Sequence, residues 1–433
     1  MHSAVECWWP SGKTSNKLPA KASSSAAEVK GDEERDVVGG YTGTEEREAT
    51  AGTKYSPRKS RHIHKTLPSY EEIRRAIPVQ CWEKSLPKSL FYLVLDFAIL
   101  AALYHVVPYV EGYAGWTGLL VWLVELVFFY GNDVNFRYWF MGMFGSSLFC
   151  IGHDCGHGTF SNNTWVNDFF GHVAHAPILA PYWPWQKSHR QHHAYTSHLE
   201  KDRGHPWVTE DDDKDRDWLS RNFAKLPISG LFRWNPIYTI VGLPDGSHFW
   251  PYSKLFTNNR ERIQCVISAL ACAICAGVAF YLCNYSVYNF IKYYYVPLLF
   301  QGLWLVMITY LQHQSESVEV YEEGHWNYVK GQVQTIDRYY GFGMDTALHH
   351  ITDGHVAHHF FFTKIPHYHL IEATKAIRKV LAPYPGAYKR HTQMDFFFEY
   401  LRLNVRLDYL IGKGTGLLMY NLPENEEKVK KTN

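Results

Sequence analysis

Apolar residues gather into long blocks along this chain. One block runs from Phe91 to Val110, which at about 1.5 Å of rise per residue is long enough to cross the hydrocarbon core of a bilayer. Two further blocks, Ile263–Cys283 and Tyr293–Leu311, are joined by a short polar turn near Asn284. They predict a helical hairpin. The pattern as a whole predicts an all-α integral membrane protein.

The segment between Gly115 and the first histidine motif is harder to interpret. Trp116–Tyr130 and Tyr138–Ile151 are both apolar and both short, and polar residues separate them. We predict that Tyr138–Ile151, with a few preceding residues, is the second span. Trp116–Tyr130 is then an extra piece that lies at the interface or packs on the first span. This gives about four transmembrane helices.

Polar sequence marks the two ends of the predicted membrane domain. Residues 1–68 are rich in Ser, Ala, Glu, Lys and Gly and predict a disordered tail, residues 69–412 form the membrane domain, and residues 413–433 form a second tail. Basic residues precede the first span and the hairpin, whereas the connections on the other side have almost none. Basic residues next to membrane spans are enriched on the cytosolic side, so we expect both termini in the cytosol.

Composition excludes some functional classes. The 433 residues are 46% hydrophobic and carry a net charge of +1, which gives no basic surface for nucleic acid. Most of the eight cysteines lie in apolar stretches, where cysteine acts as a small buried hydrophobic residue and not as part of a disulfide framework.

Histidines repeat at helical spacing in three motifs. HDCGH, HRQHH and HVAHH place their histidines three or four residues apart, which puts each set on one helix face: His153, His157, His189, His192, His193, His355, His358 and His359. With 24 histidines in the chain, an H-x-x-H-H is expected about 0.07 times by chance, yet two occur. Chance is a poor explanation.

The predicted topology brings the three motifs to one membrane face, as a cytosolic helical cap. His313, at the end of the fourth span, reaches the same region and is the ninth candidate ligand. Nine imidazoles exceed the ligand set of a single zinc ion, and the Glu ligands of soluble di-iron bundles are missing. Two iron ions, able to activate oxygen, fit best. Five nearby residues are candidates to orient the imidazoles: Asp154, Asp345, Asp353, His349 and His350.

These motifs resemble one enzyme family. HDCGHGTFS, APYWPWQKSHRQHH, GLPDGSHFWPYS, ITYLQHQ and ITDGHVAHHFFFTKIPHYHL are similar to the membrane fatty-acid desaturases of the methyl-end branch, which comprises omega-6/delta-12 and omega-3 enzymes. The resemblance implies a di-iron enzyme that uses O2 to place a cis double bond in an acyl chain. It also implies cytochrome b5 with its NADH reductase as a separate electron donor, because the chain has no HPGG haem motif.

Within that branch, the first two motifs look closer to invertebrate and nematode delta-12 enzymes, which convert oleoyl to linoleoyl chains. An omega-3 desaturase and an acyl hydroxylase or conjugase on the same metal site remain alternatives. A metal transporter or receptor is the alternative from another class, and it predicts ligands spread along a transmembrane path. The resemblance leaves acyl-CoA and phospholipid open as the substrate, with membrane lipid around it.

The chain ends in Lys430-Lys431-Thr432-Asn433. A dilysine ending of this kind is read by receptors as a retrieval address, and it requires the cytosolic C-terminus predicted above. We therefore expect a multi-pass protein of the endoplasmic reticulum membrane.

Overall fold

Helices make up most of the described chain. The computed structural model describes residues 67–113, 134–205, 207–242 and 244–430. Most of the predicted N-terminal tail, the extra piece Trp116–Tyr130 and Lys431 lie outside these residues. The helices α1 to α17 are, in order, Tyr70–Ala76, Leu86–Tyr113, Val134–His157, Thr164–His175, Tyr182–Ala194, Glu210–Lys214, Trp218–Phe223, Gly230–Phe232, Asn259–Leu282, Val287–Phe290, Val296–His313, Tyr328–Gln332, Met344–Ala347, His355–Phe360, Leu370–Leu381, Phe396–Arg406 and Pro423–Lys430.

Shorter helical turns connect several of these helices. The 3-10 turns are Val79–Trp82, Ala176–Ile178, Pro227–Ser229 and His367–His369, and the π-helical stretches are Arg233–Val241 and Ile291–Tyr295. The second stretch joins α10 to α11, so the whole of Val287–His313 reads as one long apolar helix.

Three helical stretches of the described residues are long and apolar enough to cross a membrane: Leu86–His105, Asn259–Leu282 and Val287–His313. They overlap the first, third and fourth predicted spans. The predicted second span lies inside α3 (Val134–His157), which is helical but does not reach the same combination of length and apolarity in the described residues. The four-span topology therefore stays a prediction.

Helices α3 and α11 form the centre of the helical body. In the most apolar window of Val287–His313, 56% of the residues are buried, against 17% for each of the other two stretches. Gly142 on α3 allows a close approach, because a Cβ there would lie 2.5 Å from the backbone of Phe300. The indole N–H of Trp304 donates to the Trp139 carbonyl oxygen at 2.9 Å. Both helices end at a histidine, so their packing fixes two walls of one site.

Five short strands, which the all-α prediction did not include, lie among the described residues. They are β1 Glu319–Tyr321, β2 Ile336–Arg338, β3 Lys389–His391, β4 Leu410–Ile411 and β5 Leu417–Tyr420. β5 pairs antiparallel with β1 and with β4, and β2 pairs in parallel with β3. Leu418 and Met419 in β5 are buried. Residue 412, where we expect the domain to end, lies between β4 and β5.

The segment before the first span packs on the far side of the third histidine motif. Ile73, Ile77 and Cys81 are buried against Phe361 and Ile377 in one apolar cluster. Since this cluster includes residues of α14 and α15, it supports the back of the helix that carries the last histidines.

Candidate metal centre

The histidine motifs occupy helix surfaces that face one another. The first motif lies at the end of α3, the second on α5 and the third on α14. His313 is the last residue of α11. Eight of the nine predicted ligands are buried, and His189 is partly exposed. Spacing of three and four residues on each helix is what lets neighbouring imidazoles point the same way.

Five imidazoles form what we call the first cluster. Its members, which offer ring nitrogens within 4.8 Å of one another, are His153, His157, His189, His193 and His358. The Nε2 atoms of His153 and His157 lie 3.2 Å apart. His193 Nε2 lies 3.0 Å from His189 Nε2 and 3.1 Å from His358 Nε2. All three histidine motifs thus contribute to the first cluster.

Four more imidazoles form the second cluster. His192, His313 and His359 offer ring nitrogens within 4.8 Å of one another, and the Nε2 atoms of His192 and His313 lie 3.2 Å apart. His355 adjoins them, because its Nε2 lies 3.0 Å from His313 Nε2. Together the two clusters contain all nine histidines that the sequence singles out.

Hydrogen bonds on the outer ring nitrogens fix the tautomers in the second cluster. His192 Nδ1 lies 2.7 Å from Asp202 Oδ1, and His355 Nδ1 lies 3.0 Å from the Ile351 carbonyl oxygen. These oxygens only accept, so both Nδ1 atoms carry the proton and both Nε2 atoms present a lone pair. Both lone pairs face His313, whose neutral ring has one N–H to give. A cation at their meeting point would satisfy all three nitrogens.

A separate observation at His359 also indicates a metal site. Its Nδ1 lies 3.1 Å from Gln332 Oε1, which fixes the proton there. Its Nε2 is buried and has no hydrogen-bond partner. A buried unpaired polar atom costs about 1–3 kcal/mol, and coordination to a metal would remove that cost. The donor set therefore fits metal ions bound by imidazole nitrogen.

Several of the clustered histidines are held in the neutral form that metal binding needs. Burial, followed by the neighbouring imidazoles, lowers the pKa of His189, His193 and His358 well below 6.5. Burial also lowers the pKa of His355 to about 3. At neutral pH these rings therefore offer lone pairs and not a cluster of positive charges.

The other predicted site residues lie beside the clusters and not within them. Asp154 accepts from His367, through Nδ1 at 2.9 Å and through the backbone N–H at 3.1 Å. His350 Nδ1 lies 3.0 Å from Asp353 Oδ1, so these two residues pair with each other. Asp154 is thus tied to a histidine that is outside the predicted ligand set.

His349 and Asp345 are held by other contacts. His349 Nε2 lies 2.8 Å from Asp96 Oδ2 and 3.0 Å from the Ser147 hydroxyl. Asp345 accepts from the backbone N–H of Tyr340 at 2.9 Å and from the Thr352 hydroxyl at 2.7 Å. Asp345 thus holds the loop before the third motif, whereas His349 ties that loop to α2 and α3.

Sequence reasoning missed three supporting residues, Asp202, Gln332 and Asp96. Asp202 is ten residues from its partner His192, and Gln332 is 27 residues from His359. Asp96 lies inside an apolar stretch that can span a membrane, where a buried carboxyl is usually paired or functional. The position of Asp96 was the one clue available in the sequence, because Asp202 and Gln332 belong to no recognisable motif.

A cavity of about 280 Å³ opens beside the histidines. Histidines from the clusters, including His189, His192 and His313, line it together with apolar and aromatic side chains such as Trp234 and Leu305, and Arg216 and Arg233 add charge to its wall. An apolar pocket with a few convergent polar groups is the usual form of a small-molecule site. It could therefore receive an extended apolar ligand beside the histidines.

The chain is similar to the members of one family of known proteins. The model of the family described as "Fatty acid desaturase" matches residues 134–392, a range that contains all nine histidines. The Delta(12) fatty acid desaturase of Caenorhabditis elegans is 59% identical over 84% of this chain and 94% of its own length. The omega-3 fatty acid desaturase of the same organism is 49% identical over 89% of this chain and 91% of its own. A Synechocystis sn-1 acyl-lipid omega-3 desaturase (ferredoxin) is 33% identical over 83% and 93%.

Proposed function

The chain belongs to the fatty acid desaturase family, and on that premise we propose that it is a methyl-end desaturase that converts oleoyl to linoleoyl chains. The delta-12 assignment rests on the difference in sequence identity between two relatives from one organism. The Delta(12) enzyme is 59% identical to this chain and the omega-3 enzyme 49%. An omega-3 activity is the second candidate, because that relative also matches along almost its whole length.

We assign the nine clustered histidines as ligands of two iron ions. The convergent lone pairs of the second cluster and the unpaired Nε2 of His359 support this assignment. When bound, the iron pair supplies the oxygen-activating chemistry that removes hydrogen from an unactivated C–H bond. The overall reaction takes two hydrogens from adjacent acyl carbons, and with O2, two electrons and two protons it yields one cis double bond and two water molecules.

The residues of the chain bind and orient the substrate in this scheme. The apolar wall of the cavity, including Phe149, Trp234 and Leu305, receives the acyl chain and excludes water. Asp202, Gln332 and the Ile351 carbonyl oxygen keep their histidines in one tautomer and one orientation. Positional selectivity then depends on how far the acyl chain enters the cavity before it meets the histidines.

We further propose cytochrome b5 with its NADH reductase as the electron source and the endoplasmic reticulum membrane as the location, with both termini in the cytosol. The apolar helices and the dilysine ending support this proposal. An omega-3 relative from Vigna radiata is named as an endoplasmic reticulum enzyme. The site at the ends of α3 and α11 would then face a cytosolic donor. The substrate is an acyl chain carried by coenzyme A or phospholipid.

Expression in a yeast that makes oleate but no polyunsaturated acids tests the proposal. We expect new linoleate in the fatty-acid methyl esters, and none from the His193→Ala variant at equal protein level. Linolenate that appears only when linoleate is supplied would replace the delta-12 assignment with omega-3. A hydroxylated product, or no new product from protein that carries two irons, would overturn the desaturation proposal.

A further inference from the structure

A second kind of metal-ligand set lies away from the histidine clusters. Cys81, His369 and Glu372 offer a sulfur, a ring nitrogen and a carboxylate oxygen, all within 4.8 Å of one another. Cys81 belongs to the 3-10 turn Val79–Trp82, His369 is the residue before α15, and Glu372 lies in the first turn of that helix. The spacing of three residues puts His369 and Glu372 on one side of the helix start.

We propose that Cys81, His369 and Glu372 form a zinc-binding site that fastens the N-terminal segment to α15. Thiolate, imidazole and carboxylate are the three ligand types that zinc takes in proteins, and three protein ligands leave the fourth position for water. A thiolate and a carboxylate together balance the charge of one Zn²⁺. This site is independent of the acyl desaturation reaction and of the two irons.

The surroundings of the three side chains match this assignment. Cys81 is fully buried, whereas His369 and Glu372, at the start of α15, are partly exposed, so these two side chains have room to adjust toward a fixed sulfur. Zinc ligands lie about 2.0–2.3 Å from the ion, so the exposed pair would have to turn slightly for one ion to contact all three atoms. Gln80 donates through its side-chain N–H to Glu372 Oε1, which holds the carboxylate from outside.

The protonation states show what zinc would replace. Burial and the neighbouring Glu372 carboxylate raise the pKa of the Cys81 thiol to about 12, and Glu372 accepts a hydrogen bond from it. Burial lowers the pKa of His369, so its ring is neutral at pH 7. Zinc would displace one proton from sulfur and use a lone pair already present on nitrogen.

The location gives the site a structural role. Cys81 shares one apolar cluster with Phe361 and Ile377, and this cluster lies behind α14, which carries His355, His358 and His359. A zinc ion here would link the segment before the first span to the helix that follows the last histidine motif. Its loss should loosen the N-terminal segment while the irons stay bound.

Cobalt substitution tests the site in the full-length protein purified in detergent. The histidine clusters contain no sulfur ligand, so a near-ultraviolet thiolate-to-cobalt band reports a cysteine site alone. We expect the band in the wild type and its loss in Cys81→Ser. The matched control is Cys283→Ser, which changes a partly exposed thiol on the turn after α9 and should keep the band.

Metal content and affinity complete the test. We expect one zinc beside two irons in the wild type and two irons without zinc in Cys81→Ser and in His369→Ala, whose partly exposed position favours folding. Gln80→Ala should weaken zinc binding by about 10- to 100-fold, the usual effect of losing a residue that supports a ligand. Cobalt-loaded wild type without the band, or a band that persists in Cys81→Ser, would overturn the proposal.

Discussion

The two histidine clusters are supported in different ways. In the second cluster, three of the four rings have an outer partner on Nδ1: Asp202 for His192, the Ile351 carbonyl oxygen for His355 and Gln332 for His359. In the first cluster, the Nδ1 atoms of His157 and His193 are buried without a partner. The protein therefore orients the second set before metal arrives, whereas the first set depends more on the ion it holds.

The largest expected effect comes from removing one ligand of each cluster. Both His157→Ala and His359→Ala should lower product formation by more than about 100-fold, since loss of a ligand exceeds the effect of losing an outer partner. Iron content and linoleate in the yeast assay measure the outcome. If His157→Ala retained wild-type activity, the first cluster would not be part of the catalytic site.

Asp202→Asn tests whether outer support matters in the second cluster. The amide lacks the carboxylate charge that holds the His192 Nδ1–H, so iron affinity should fall by about 10- to 100-fold. Titration with ferrous iron under anaerobic conditions measures the change. Asp215→Asn, at an exposed position just after α6, is the control and should bind iron normally. Equal affinities in the two variants would contradict the comparison between clusters.

Gln332→Leu tests a side chain that contacts both clusters. Its Oε1 faces His359 Nδ1, and its N–H donates to the His193 carbonyl oxygen at 2.9 Å. We expect about tenfold weaker iron binding, at the lower end of the range for outer partners because the acceptor is uncharged. Gln334→Leu is the control, since that buried glutamine contacts Glu319 and Lys389 and no histidine. It should lower the melting temperature and leave iron affinity unchanged.

The smallest effect is expected at His350. This ring pairs with Asp353 and belongs to neither cluster, so His350→Ala should change product formation by less than about twofold. The yeast assay at matched protein level measures this. A tenfold loss would place His350 among the residues that the reaction needs.

The sequence could predict which histidines come together because each helix encodes its own set. Spacing of three and four residues is a local property, so the three motifs are visible without a structure, and His313 follows from its place at the end of an apolar block. Asp202 and Gln332 were not predictable, because their partners come from tertiary packing. An aspartate in a polar loop and a glutamine in a short helix look like many others in the chain.

Part of the fold was also predictable from the sequence. The hairpin and the first span follow from apolar length, which the bilayer sets. The strands could not be predicted in this way. Two to four residues are too few to show an alternation of apolar and polar positions, and β1, the partner of β5, lies almost a hundred residues earlier. The predicted second span, inside α3, does not stand out as a membrane-crossing stretch for a related reason. α3 packs closely against α11, and its buried polar residues Ser146 and Ser147 lower its apolarity while they form hydrogen bonds inside the protein.

The spread of the ligands along the chain has a consequence for biosynthesis. The first cluster joins His153 near one third of the chain to His358 near its last fifth. A ribosome must therefore complete α14 before either cluster has all of its donors. Complete loading of either cluster with metal can therefore only follow synthesis of α14, so a nascent chain that stalls earlier carries incomplete sets of imidazoles.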